Sequence, residues 1–120
     1  MKKMILLLVL GVFGLSLPLR SAPALPESVA QEYLKNGALV IDVRTMAEFQ
    51  AKHLTNVINI PLDELKAKLP QQITNRAQVL LLHCRSGRRS GLAETELRAM
   101  GYTNAFNIGS YEQAQATLKQ

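Results

Sequence analysis

Cys84 is the one cysteine among 120 residues, and it stands where an apolar run meets a polar turn. Leu80 to Gly91 reads Leu-Leu-Leu-His-Cys-Arg-Ser-Gly-Arg-Arg-Ser-Gly. A thiol at the end of a strand-like run, followed by a short turn and a helix, meets many backbone N–H donors. Gly87 allows a residue with φ > 0 in that turn. Consecutive N–H groups there converge into an anion-binding nest. The helix N-terminus adds its dipole, and Arg85, Arg88 and Arg89 add full charges. All three favour thiolate over thiol, so the Cys84 pKa is expected below the free value of about 8.5. The same donors would hold a negative sulfur or oxygen species on that thiolate. Cys84 is thus the candidate nucleophile, with Arg85, Ser86, Gly87, Arg88 and Arg89 as its anion-binding loop. At least one of the three arginines is expected to face solvent. A Gly-Ser-Arg turn alone also occurs in inactive α/β proteins; the thiol at the strand end sets this one apart.

Other reactive residue types read more plainly. Asp42 and Arg44 end an earlier strand on the same side of it, as a buttressing pair near the site. His83 adjoins Cys84 in a strand, so its side chain points to the opposite face. His53 is the only other histidine, and no ligands cluster, so no metal site is expected. One cysteine cannot close an intramolecular disulfide.

The elements that must position these residues alternate. Glu27–Asn36 reads as a helix with Val29, Tyr33 and Leu34 on one face and Gly37 as its stop. Residues 38–43 are a continuous apolar run, as in a buried parallel strand. Thr45 and Glu48 form a capping box that opens a short helix to about Lys52. Asn56–Ile60 is a second strand. Pro61 opens a helix over Leu62–Leu69, with acidic residues first and lysines last, and Pro70 is expected to end it. Gln78–His83 is the third strand. Arg89–Met100 is a helix whose apolar stripe is Leu92, Ala93, Leu97 and Met100, with Glu94 and Arg98 as an i,i+4 pair and Gly101 as the stop. Ala105–Ile108 is a fourth strand and Tyr111–Lys119 a terminal helix. This alternation predicts an α/β fold: a small twisted parallel sheet of four to five strands with helices on both faces. Ligands in such sheets bind beyond the carboxyl ends of the strands, where Cys84 stands.

The N-terminus carries a different pattern. Lys2 and Lys3 precede an apolar run from Ile5 to Leu17, and Ala22-Pro23-Ala24 offers a cleavage site. Residues 1–24 read as a signal peptide for export to the periplasm or beyond, too short for a comfortable membrane span. An uncleaved N-terminal anchor is the alternative. Residues 25–120 then form one domain with a modest core. The formal charge of +5 includes Lys2, Lys3 and Arg20, and without them 11 basic residues face 9 acidic ones. No nucleic-acid footprint is expected, nor membrane contact after cleavage.

The motifs together resemble the rhodanese-type sulfurtransferases. Cys84 to Ser90 is similar to that family's C-x-S-G-x-R-S loop. Ile41 to Phe49 resembles its D-x-R…E-[FY] segment, His53 to Pro61 its H-I-x-G-A-x-N-I-P segment, and Gly101-Tyr102 with Asn107 to Gly109 its closing strand and turn. The likeness covers roughly residues 27–112, and a signal before one such domain is similar to the small exported phage-shock-type thiosulfate sulfurtransferases. Asn56 replaces the family's usual Gly, and Asn tolerates left-handed backbone next best. Ser110 stands where a second Gly is common. The resemblance implies a double displacement: the Cys84 thiolate takes the outer sulfur of thiosulfate, sulfite leaves, and cyanide or a thiol accepts the sulfur from the persulfide. It implies no metal or organic cofactor, and small sulfur-containing anions as partners.

Two other readings stay in view. Cysteine-dependent phosphatases use H-C-x5-R, but here Arg89 follows Cys84 after four residues and Ser90 occupies the fifth-plus-one position. Such a loop is one residue short for phosphate. A persulfide carrier without rapid turnover would use the same thiol.

Overall fold

A computed structural model describes residues 23–120 together with Gly14. The lysines and the apolar run of the expected signal fall outside the described residues, Gly14 excepted. No helix among the described residues is long and apolar enough to cross a membrane. The elements run α1 (Glu27–Lys35), β1 (Leu39–Asp42), α2 (Met46–Ala51), β2 (Ile58–Asn59), a 3-10 turn (Leu62–Glu64), α3 (Leu65–Gln72), β3 (Leu80–His83), α4 (Arg88–Ala99), β4 (Ala105–Gly109) and α5 (Tyr111–Leu118).

All four strands are parallel, in the order β2-β1-β3-β4. The chain leaves β1 toward one edge and returns to β3 on the other side. The crevice where the winding reverses therefore lies between the carboxyl ends of β1 and β3. Those ends carry Asp42 and Cys84. Alternate strand residues feed two cores. Ile41, Leu80, Leu82 and Cys84 pack with Leu65 and Leu69 of α3 and Ala93 and Leu97 of α4. Val40, Leu81 and Ile108 pack with Ala30 of α1 and Ala114 of α5. Helices thus cover both faces, as the alternation predicts.

Several local expectations change. Pro70 lies inside α3 instead of ending it. Leu65 and Leu69, in the helical turn before it, are fully buried, each stabilising by about 1.5–3 kcal/mol. That outweighs the single bond Pro70 cannot donate, and the Ile73 N–H still closes on Leu69 O at 2.8 Å. The turn after Pro61 is 3-10, with α3 starting at Leu65. Leu92 is 52% exposed and so leaves the apolar stripe of α4, while Val29 also faces outward on α1. Glu94 and Arg98 do not pair with each other. Glu94 accepts from the Asn107 N–H, and Arg98 Nε donates to Ala105 O. β2 has shrunk to two residues because Asn56 turns left-handed at φ 60° just before it. Ser110 adopts ordinary extended backbone and caps α5.

One irregularity bears on the site. Opposite Leu82 and His83, β4 presents Asn107 and then Gly109, with Ile108 as an extra residue. Such a bulge re-aims the chain, and here it brings Gly109 against the turn that follows β3.

Candidate active site

The apolar run of β3 ends at Cys84, whose N–H donates to Gly109 O at 3.3 Å. The loop then runs along the β4–α5 junction. Ser86 bridges Ser110, and the Tyr111 N–H donates to Arg85 O at 3.2 Å. Gly87 closes the loop at φ 92°. A Cβ there would meet backbone atoms of Gly109 at 3.3 Å, so both the conformation and the close approach require glycine. α4 starts at the next residue; its N-cap Gly87 offers no side chain to cap it, the Arg88 N–H donates to Ser86 Oγ at 3.5 Å, and the N–H groups of Gly87 and Ser90 face the thiol.

Cys84 itself is buried. Its Sγ accepts the Gly87 N–H at 3.0 Å and lies 3.4 Å from Ser90 Oγ. Burial pushes the thiol pKa up, but the Ser90 hydroxyl and the N–H groups of Ser90, Gly87 and Ser86 together pull it below its ordinary value. The thiolate is thus favoured by hydrogen bonds more than by the guanidinium charges that the sequence suggests. Arg85 and Arg88 are exposed, as is the Ser86 side chain. Arg89 turns away to Glu48, with Nη1–Oε1 at 2.7 Å and Nη2–Oε2 at 2.9 Å.

Glu48 does two jobs. It completes the expected capping box with Thr45 and anchors Arg89, tying α2 to the start of α4. The Arg89 guanidinium, helped by the Thr45 N–H and hydroxyl, holds its carboxyl down at about 2 from an ordinary 4.5. A carboxyl with a depressed folded pKa stabilises fully above its unfolded value, and that stabilisation is lost as pH falls through the folded one. Acid titration of stability should therefore fall more steeply between pH 4.5 and 2 in the wild type than in Glu48→Gln. Denaturant midpoints measured across that range check this, and parallel curves would contradict it.

Asp42 and Arg44 lie on the opposite sheet face from Cys84, beneath the crevice. Arg44 Nε sits 3.0 Å from both Asp42 oxygens, its Nη2 donates to Oδ2 at 2.7 Å, and its N–H donates to Oδ1 at 2.9 Å. Nη2 also reaches Lys52 O at 2.7 Å. The pair makes no hydrogen bond to the loop around the thiol, and its bonds to Lys52 O and within itself brace the end of β1. His83 stands beside it, fully buried, with Nε2 3.8 Å from Asp42 Oδ2. Burial lowers the His83 pKa more than the Asp42 charge raises it, which keeps the ring neutral. His53 is exposed and stacks on Phe49, away from the thiol.

A cleft of about 330 Å³ beside the loop is lined by Arg44, Glu48, Lys52, Arg85, Tyr111 and Glu112. A more apolar hollow of about 450 Å³ between α1, β2 and α5 holds no thiol, histidine or carboxylate, so the chemistry belongs to the Cys84 end.

Sequence reasoning passes over Ser90 and Asn107. Ser90 is buried with Oγ 2.8 Å from Asn107 Oδ1. Its signal is a hydroxyl within the loop motif itself. For Asn107 the signal is an amide side chain in the middle of an otherwise apolar strand, where a buried polar group needs a partner.

Comparison with known proteins agrees with this geometry. The model of the family described as "Rhodanese-like domain" matches residues 25–117. Thiosulfate sulfurtransferase PspE of Escherichia coli K12 is 38% identical over 69 residues, which cover 58% of this chain and 66% of that protein. The chain spans 45% and 21% of the length of two longer curated relatives. Among solved structures, one described as a rhodanese with anions from E. coli superposes with a TM-score of 0.61 at 34% identity, covering 64% of this chain and 91% of that one. The human single-domain sulfurtransferase TSTD1 superposes with a TM-score of 0.65 at 27% identity, covering 79% and 96%. By its family match and its thiol loop, the chain belongs to the rhodanese-like domain family.

Proposed function

We propose that the protein is a sulfurtransferase that moves a sulfane sulfur from thiosulfate, or a similar donor, through a persulfide on Cys84 to cyanide or a thiol. The observation that carries this reading is a buried thiol with its pKa lowered, Sγ accepting the Gly87 N–H at 3.0 Å. Relatives named as thiosulfate sulfurtransferases support the choice of donor.

The Cys84 thiolate attacks the outer sulfur of thiosulfate. The S–S bond of the donor breaks, and sulfite leaves with its electron pair. Negative charge now rests on the outer sulfur of the persulfide, where the loop N–H groups favour it. The acceptor then takes that sulfur, and the electron pair of the persulfide bond returns to Sγ. Two half-reactions with one covalent intermediate predict ping-pong kinetics, and neither step needs a metal or organic cofactor. Lys52 and Arg85, which line the cleft without a carboxylate partner among the described residues, suit an anionic donor. Phosphate suits the loop poorly: Arg89 comes one residue early and is already gripped by Glu48. The lysines and apolar run before residue 25 support export as the setting for this chemistry.

Intact mass after incubation with thiosulfate is expected to rise by one sulfur atom. Cyanide is expected to remove it, with thiocyanate formed over many turnovers. Failure of any sulfane donor to load Cys84 would overturn the proposal. Loading without release would leave a persulfide carrier.

A further inference from the structure

The hydroxyl of Ser90 has one proton and four acceptors around it. Asn107 Oδ1 lies at 2.8 Å, Gly87 O at 3.2 Å, and Cys84 Sγ and Gly109 O each at 3.4 Å. Each of the three oxygens has another donor. Gly91 N–H serves Gly87 O at 3.0 Å, Cys84 N–H serves Gly109 O at 3.3 Å, and Gly109 N–H serves Asn107 Oδ1 at 2.9 Å. Moving the Ser90 proton from Asn107 to sulfur therefore strands no acceptor. Asn107 cannot turn its amide over to compete differently. Its Oδ1 is fixed by the Gly109 N–H and its Nδ2 by Gly87 O at 3.3 Å, while Glu94 holds its backbone N–H.

We propose that Asn107 is a positioning residue for sulfur transfer, holding Ser90 so that one hydroxyl proton swings between Asn107 Oδ1 and Cys84 Sγ as charge leaves and returns to the sulfur. This rests on the sulfur-transfer reading above. In the thiolate the proton faces Sγ. When the thiolate takes the outer sulfur of thiosulfate, Sγ becomes a neutral divalent sulfur, the charge moves to the outer atom, and the proton swings to Asn107. When the acceptor removes that outer sulfur, the bonding pair returns to Sγ and the proton swings back to it. No proton enters or leaves the site, and the swing assists Sγ as the leaving group of the second half-reaction.

The test is the pH dependence of Cys84 alkylation by iodoacetamide, followed by intact mass. Other charges stand around the thiol: Arg85 and Arg88 on the loop, and Arg89 with Glu48 at the start of α4. His83, Asp42 and Arg44 lie at the strand ends, and Glu94 behind Asn107. All are common to every variant, so differences in midpoint belong to Ser90 and Asn107. Asn107→Asp places a carboxylate that keeps the Ser90 proton, and the midpoint is expected to rise by about one unit. In the Ser90→Ala background the same change should move it by less than half as much. Ser90→Thr keeps a hydroxyl and should keep the wild-type midpoint. Equal shifts in both backgrounds, or no shift in a folded Asn107→Asp protein, would overturn the proposal. If that variant does not fold, the same cycle with Asn107→Ser decides, a shift that vanishes in the Ser90→Ala background being the expected result. Discharge of the persulfide by cyanide should slow roughly threefold with Asn107→Asp, because a thiol of higher pKa leaves more slowly. Alkylation needs no sulfur donor, so a protein that thiosulfate fails to load sinks the sulfur-transfer reading and leaves the midpoint comparison standing.

Discussion

Cys84→Ser is expected to lower thiosulfate-to-cyanide transfer by about a thousandfold or more, to the level of the uncatalysed solution. A hydroxyl in the same place is not ionised near neutral pH and is a poor match for sulfur, so the first half-reaction has no nucleophile. The loop gives this substitution an unusually clean reading. The Gly87 N–H and Ser90 can still bond an oxygen at that position, and the exchange removes little volume from the core. Unfolding temperature should therefore change by only a few degrees while turnover vanishes. Retained turnover in the variant would remove Cys84 from the mechanism. Loss of fold along with turnover would mean that the thiol matters mainly for packing.

The largest stability effect is expected at Arg44. Asp42 is fully buried and Arg44 nearly so, at 7% exposure. Arg44→Ala would leave a carboxylate in the interior with its main counter-charge gone, at a cost of about 3–5 kcal/mol. A domain of this size has about 5–15 kcal/mol in all, so the melting temperature should fall by roughly fifteen degrees or more. The damage would spread along the sheet end. Arg44 Nη2 also closes on Lys52 O, and Asn59 Nδ2 bonds both Asp42 O and Arg44 O at 3.0 Å. Below its melting point the variant should still load sulfur on Cys84, because Arg44 lines the cleft with its guanidinium already committed to Asp42 and Lys52 O, leaving Lys52 and Arg85 to meet the donor. A stable variant without loading would instead place Arg44 in direct contact with the donor.

What the sequence makes legible follows the range of each interaction. The capping box of Thr45 and Glu48 is written in four adjacent residues, and both of its bonds form. The turn at Gly87 and the alternation of strands and helices are local in the same sense. Pro70 is misread because a propensity rule operates without knowledge of what Leu65 and Leu69 bury. Leu92 is misread because a stripe drawn on an isolated helix does not reveal where the neighbouring helix stops. Arg89 and Glu48 lie 41 positions apart, and Ser90 and Asn107 lie 17 apart. Each of these residues has a plausible local use, so only the fold reveals which use prevails. The arginines of the loop are the clearest case. Their number suggests that charge makes the thiolate, whereas two face solvent and the Ser90 hydroxyl, with the loop N–H groups, does the work.

The bridge between Ser86 and Ser110, with the bonds from Cys84 to Gly109 and from Tyr111 to Arg85, sews the reactive turn into the edge of the sheet. A loop held this way has no melting point of its own. Its geometry survives as long as β3 and β4 stay paired and fails when they part, so heat should take away reactivity and structure in one step. The same stitching explains why residue 109 is glycine: a Cβ there would run into the Gln113 side chain that caps α5, so any side chain at this position would push on α5 and on the strand that holds the thiol's turn.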